Sequence, residues 1–421
     1  MKNVLLFFLT LLLSQSLNSQ TLSKSVKRNK SISSERLSNI DTLLKAHLEN
    51  NWLVGAVVLI VKNNQVVYHK GHGYANLVSK KPMNPDAIFR IMSQTKAITS
   101  FATMQLFEQG KLGLDQNISD FIPEFGNPQV LKTFNEKDSS FIAVPAKREI
   151  TFRDLLTHTS GIDYAAIGSE TMQAIYAKNK IPSGLGYFNE ALLSKMKLLG
   201  KLPLLHHPGD QFTYGLNSDL LGCLIEIISG ESLDSYFRNH IFEPLGMKDS
   251  YFNVPANKAN RLATVYTEDS NQKIIAWSPT FRDIDPQYPL IQKTYFSGGA
   301  GLSSTAFDYA IFLQMLLNGG RYNNKQILGR RTVELMLSPQ LENKIYGDDN
   351  FCLGFELTSQ KTGNRIMKNE GSFSWGGYYG TSYWADPKEK LTCLIMTQQN
   401  PNSNGHDFQG KIMNIIYGSL K

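Results

Sequence analysis

Cysteine is scarce in this chain, three among 421 residues. Cys223, Cys352 and Cys393 are odd in number and form no C-x-x-C pair, which excludes a disulfide framework and a zinc knuckle. Each sits among apolar neighbours and reads as a small core residue. The eight histidines form no H-E-x-x-H pair, and His206-His207 are adjacent in a Pro-Gly turn, so neither a metal nor a cofactor is expected. Charge is also thin: 19% of residues are Asp, Glu, Lys or Arg, with a net +7. The run from Lys24 to Lys30 supplies part of that excess, and no basic stripe interleaved with aromatics follows it, so nucleic-acid binding is not expected. No G-x-S-x-G elbow occurs, which leaves an α/β-hydrolase fold without its nucleophile. What the chain does have is 42% hydrophobic residues, enough for a large core.

After Met1-Lys2, the apolar run Val4 to Leu13 is too short to span a bilayer and is followed by small polar residues. Residues 1–19 therefore read as a signal peptide, and the mature chain as periplasmic or secreted with no stable membrane insertion. Residues 20–35 read as a loose lead-in. Ile40, Leu43, Leu44 and Leu48 follow at helical spacing. Gly55 to Lys62 and Gln65 to His69 flank Asn63-Asn64, a hairpin pattern. From Ser93 the apolar residues run all round a helix closed by Gly110, which places it inside the fold. Helical pieces at Phe152 to Leu156 and Asp219 to Ile228 are joined by long loops. Strands return at Phe351 to Leu357, Tyr378 to Trp384 and Leu391 to Thr397, before a last helix from about Gly405. The expected fold is α/β: an antiparallel sheet flanked by helices and built from both termini, residues 36–111 and 295–421, with an inserted mainly helical or irregular domain over 112–294.

Ser followed three residues later by Lys occurs at Ser93-Gln-Thr-Lys96 and at Ser270-Asn-Gln-Lys273. The second has a turn composition. The first opens the buried helix, where one turn brings the Lys96 amine beneath the Ser93 hydroxyl and backbone N–H groups face any developing charge. An amine held there is placed to take or relay the serine proton.

Phe89-Arg-Ile-Met-Ser93-Gln-Thr-Lys96 resembles the active-site motif of the serine β-lactamase-like superfamily: class C β-lactamases, penicillin-binding proteins and family VIII carboxylesterases. Ile150 to Gly161, Pro208 to Tyr214, Phe242 to Asp249 and Ser297 to Thr305 resemble that family's framework segments, in order, from about residue 37 to 400. The resemblance implies a β-lactamase/transpeptidase-like fold and a second-motif tyrosine, for which Tyr214 fits and Tyr74, Tyr251 and Tyr322 do not. The family's Asn two residues after that tyrosine is Leu216 here, which leaves Asn217, one place late, as the substrate-binding candidate. The third motif is matched by Trp375-Gly376-Gly377, while the literal Lys361-Thr362-Gly363 falls in a turn between strands. The backbone N–H groups of Ser93 and Tyr378 are then the oxyanion donors. Trp375 in place of a lysine favours small neutral esters or amides, that is, a carboxylesterase-like serine hydrolase working through an acyl-enzyme. A β-lactamase, a D-alanyl carboxypeptidase or penicillin-binding protein, or a weakly catalytic binder of β-lactams or cell-wall fragments are the alternatives. His158 reads as a loop-forming residue.

Overall fold

The computed structural model describes residues 21–184, 190–279, 284–341, 345–405 and 407–421; the signal peptide expected over 1–19 lies outside them. The elements that frame the site are, in chain order, α1 (Asn39–Glu49), β1 (Gly55–Lys62), β2 (Gln65–Asn76), β3 (Lys81–Pro82), α2 (Thr95–Glu108), α3 (Asn217–Ser229), α4 (Ala306–Leu317), β4 (Asn350–Phe351), β5 (Glu356–Leu357), β6 (Phe373–Gly376), β7 (Ser382–Asp386), β8 (Leu391–Met396) and α5 (Phe408–Gly418).

Gly55-Ala-Val-Val-Leu-Ile-Val-Lys62 is apolar without alternation, the pattern of a strand covered on both faces, and every residue of β1 is buried. Asn63 and Asn64, at φ of 51° and 60°, turn the chain back into β2 as a hairpin of this length requires. The eight strands form one antiparallel sheet in the order β4-β5-β6-β7-β8-β1-β2-β3, so the carboxy-terminal strand β8 lies beside β1. The sheet is thus built from both ends of the chain.

Its two faces sort the side chains by parity. Val57, Leu59, Val61, Leu394 and Met396 join the larger core with α2 and α4, where Phe101 and Phe312 meet edge to face. Ala56, Val58, Ile60, Cys393 and Trp384 face α1 and α5 through Ile40, Leu44, Ile412 and Ile416. Residues 112–294 pack on the first core through α3, whose Leu220, Leu221 and Leu224 are buried. That region also carries two hairpins, Gln129–Asn135 with Ser140–Pro145 and Tyr266–Glu268 with Ile274–Ala276.

Three local expectations are corrected. Phe351 to Leu357 is a tight hairpin rather than one strand, because Cys352 N–H donates to Phe355 O and turns the chain. The strand expected from Tyr378 begins at Ser382, since Gly377 N–H donates to Thr381 O and closes residues 377–381 into a turn. The lead-in is held: Leu22 and Ile32 are buried, Lys27 N–H donates to Val66 O, and Ile32 bridges Leu420.

Candidate active site

Phe89–Arg90 ends in a short 3₁₀ turn, Met92–Gln94, that leads directly into α2. Buried Arg90 fixes the approach by donating to Ala263 O, Pro286 O and Gln398 Oε1. Met92 takes a left-handed φ of 48°, a costly conformation for a residue with a side chain, and it sets Ser93 at the mouth of the helix.

Lys96 is 2% exposed. Its ammonium donates to Ser93 Oγ at 3.2 Å, to Tyr164 OH at 2.8 Å and to Gly299 O at 2.8 Å, so each of its three protons has an acceptor. It also lies 4.6 Å from the centre of the Tyr214 ring, close enough for cation–π attraction. Tyr164 belongs to the irregular segment Gly161-Ile-Asp-Tyr164, and burial, with Tyr214 and Asp219 adding to it, drives its phenol far above the ordinary tyrosine range. Its oxygen is an acceptor for the Lys96 ammonium. Asp219, on α3, is fully buried, and its carboxyl is pushed up to about 6 by burial despite Ser297, Lys96 and Tyr295. The Tyr295 hydroxyl donates to it at 3.2 Å. Gly299 has no room for a side chain: a Cβ there would lie 2.5 Å from Asp219 Oδ2 and 3.5 Å from Lys96 Nζ.

Opposite the serine, Gly377 closes on the Ser93 turn so tightly that a Cβ would stand 2.5 Å from Ile91 O. This close approach, which only glycine permits, brings the Tyr378 backbone to the cleft wall with Ser93. The cleft is a cavity of about 650 Å³ lined by Ser93, Tyr164, Tyr214, Trp375, Gly376, Gly377 and Tyr378. Trp375 packs at 5.6 Å from Tyr214 and 5.5 Å from Phe351, giving the serine side an aromatic rather than a charged wall.

A beta-lactamase family model matches residues 40–412. The chain belongs to the beta-lactamase family. It is similar to Protein Rv1367c of Mycobacterium tuberculosis (strain ATCC 25618 / H37Rv), 31% identical over 364 residues that cover 83% of this chain and 87% of that protein. Esterase EstB of Burkholderia gladioli is 26% identical over 85% of this chain and 89% of its own length. Among solved structures, EstCE1, described as a hydrolase with promiscuous acyltransferase activity, superposes with a TM-score of 0.80 at 26% identity, covering 91% of this chain and 99% of that one. The mixed α/β fold, with its large antiparallel sheet between helices, is the fold of these serine β-lactamase-like proteins.

Within this family member the cleft gathers Ser93, Tyr214, Trp375, Gly376, Gly377 and Tyr378, with Lys96 enclosed behind the Ser93 hydroxyl, but not Asn217. Asn217 is fully buried. Its oxygen accepts from Ser160 Oγ, and its amide is taken by His158 Nδ1 at 3.0 Å and Thr213 O at 3.4 Å. One residue on a helix turns a side chain by about 100°, which carries this amide from the cleft into the wall behind Tyr214. His158 is buried at a φ of 55°, and burial beside Lys96 drives its imidazole well below the ordinary histidine range, consistent with a loop-forming role. Lys361-Thr362-Gly363 lies on a short helix, Gln360–Gly363, where Lys361 pairs with Asp348. Tyr164 and Asp219 are the site groups that sequence reasoning passed over. Tyr164 meets Lys96, and Asp219 comes within electrostatic reach of it, only through the tertiary fold, and neither has a spacing to the serine that marks it.

Proposed function

We propose that this protein is an exported serine hydrolase that acts on small esters or amides through an acyl-enzyme. The observation that carries the reading is the Lys96 ammonium 3.2 Å from Ser93 Oγ, in a water-accessible cleft. In the reacting form the Lys96–Tyr214 pair holds one proton fewer than an ammonium plus a phenol; Ser93 Oγ attacks the carbonyl carbon and its proton fills that vacancy. The carbonyl oxygen gains the negative charge and is met by the backbone N–H groups of Ser93 and Tyr378. The pair returns the proton to the departing alcohol or amine, leaving an ester on Ser93. Water then repeats the sequence and releases the acid. Tyr164 accepts a hydrogen bond from the Lys96 ammonium and lines the cleft beside it, and Asp219 is a buried carboxyl whose charge attracts that ammonium.

The aromatic wall of Trp375, Tyr214 and Phe351 suits an apolar acyl or leaving group, which favours an ester over an anionic β-lactam. The esterase and hydrolase names among similar proteins support this reading. Export rests on the apolar leader alone.

The test is turnover of a short-chain 4-nitrophenyl ester beside a cephalosporin, for the parent protein and for Ser93→Ala. The ester is expected to be the better substrate, and Ser93→Ala to lower its kcat by about 10³-fold or more. Undiminished turnover in Ser93→Ala overturns the mechanism, and a preference for the cephalosporin overturns the substrate class.

A further inference from the structure

The cleft does not end at the serine. β5 pairs with β6 only through Glu356–Ser374 and Leu357–Phe373, so Trp375 and Gly376 run on past their outer neighbour. The cavity passes round this open stretch. Trp375 faces the serine, whereas Ser374 and Gly376, one residue to either side, face the opposite side of the sheet. There the wall is made by Trp384 and by Met413 of α5.

This second lobe contains a cation. The Lys368 side chain is 9% exposed and lines the cavity. Among the described residues its hydrogen-bond acceptor is one neutral hydroxyl, Ser374 Oγ at 3.1 Å. The nearest carboxylate, Glu356, is 3.9 Å away and already has its own donors, Ser374 Oγ at 3.1 Å and Tyr346 OH at 2.9 Å. A buried ammonium with three protons and one hydroxyl acceptor has unused donor capacity, and a second anionic acceptor offsets the cost of its burial. Burial already lowers its affinity for a proton, against the pull of Glu356 and Asp349. Trp375 leaves the serine side of the cavity without a cation; Lys368 places one at the far end of the same space.

We infer that the Lys368 lobe binds a carboxylate carried at the end of the substrate remote from the reacting carbonyl, so that the ester hydrolysed at Ser93 is apolar in its middle and anionic at its tip. The inference rests on the serine hydrolase reading above and names its substrate class. The pairing is a charge-assisted hydrogen bond, and the open edge at Trp375–Gly376 is the passage between the two ends. The carboxylate can belong to the acyl group or to the leaving group.

The experiment compares kcat/KM for 4-nitrophenyl hydrogen adipate with its methyl-capped neutral counterpart, which tests the acyl arm. It also compares 4-(carboxymethyl)phenyl butyrate with its methyl ester, which tests the leaving-group arm. In one of the two pairs, Lys368→Met is expected to lower the ratio of charged to neutral substrate about tenfold, through KM, and Lys368→Arg to retain it. Glu356→Gln, which removes the competing anion at a half-exposed position, is expected to raise the same ratio about threefold, and this arm stands even if Lys368→Met does not fold. A ratio unmoved by Lys368→Met in both pairs, or by Glu356→Gln when Lys368→Met is not obtained folded, overturns this inference while leaving the hydrolase reading intact. Absence of any Ser93-dependent ester turnover overturns both.

Discussion

Ser93-Gln-Thr-Lys96 and Ser270-Asn-Gln-Lys273 have the same spacing, yet the fold treats them in opposite ways. Ser270 and Lys273 are both exposed at the tip of a hairpin. The Asp269 carboxylate caps that turn by accepting from the N–H groups of Asn271 and Lys273, and Asp269 N–H donates to Lys273 O. At the other site the lysine is enclosed, its three protons are assigned to Ser93, Tyr164 and Gly299, and a buried carboxyl stands behind it. A lysine in water is a solvated cation whatever serine precedes it. Enclosure, with fixed acceptors, is the difference on which the proposed roles of Ser93 as nucleophile and Lys96 as proton relay rest.

The largest expected contrast comes from removing each amine. Lys96→Ala should lower kcat by about 10³-fold or more, in line with losing a general base acting on a serine, while Lys273→Ala should leave ester turnover within error. Equal effects would erase the distinction between the two sites.

The next contrast lies inside the enclosed site. Tyr214→Phe removes the phenol proposed to share the serine proton and should cost kcat about 10²-fold. Tyr164→Phe removes one of three acceptors of the Lys96 ammonium and should cost about tenfold. Steady-state rates on one ester decide the order, and a greater loss for Tyr164→Phe reverses the roles given to the two tyrosines.

The smallest effect concerns pH. His158 is buried with its imidazole held well below 6.5, so the unfolded chain binds a proton there that the folded one refuses. Stability therefore falls as pH drops below about 6.5, by up to about 1.4 kcal/mol per pH unit from this group. Asn tolerates the left-handed backbone at this position. In urea melts, the stability of His158→Asn relative to the parent should rise between pH 6.5 and 5.5, whereas Lys273→Ala should track the parent throughout. A gap that does not change with pH would mean that His158 binds its proton equally in the folded and unfolded chain.

The same contrast explains which features can be read from the sequence. β1 announces itself because a strand covered on both faces has an unbroken apolar run, and α2 because its apolar residues fall on nearly every side of the helix rather than on one stripe. Ser93 and Lys96 lie one helical turn apart, so local geometry suffices to join them. Tyr164 and Asp219 come from a loop and a helix far along the chain, and only tertiary packing brings the first into hydrogen-bond contact with the amine and the second near it. Asn217 misleads because its position is judged by alignment with a motif, while the helix decides where its amide points. β4 and β5 have two residues each, too few for a period of two to register.

Covalent labelling compares the two serines directly. The protein is treated with a fluorophosphonate, digested, and the adduct is located by mass spectrometry. The enclosed-site account predicts time-dependent modification of the peptide containing Ser93, abolished in Lys96→Ala, with the peptide containing Ser270 untouched. An adduct on Ser270, or no adduct on Ser93 in folded protein that hydrolyses esters, would contradict it.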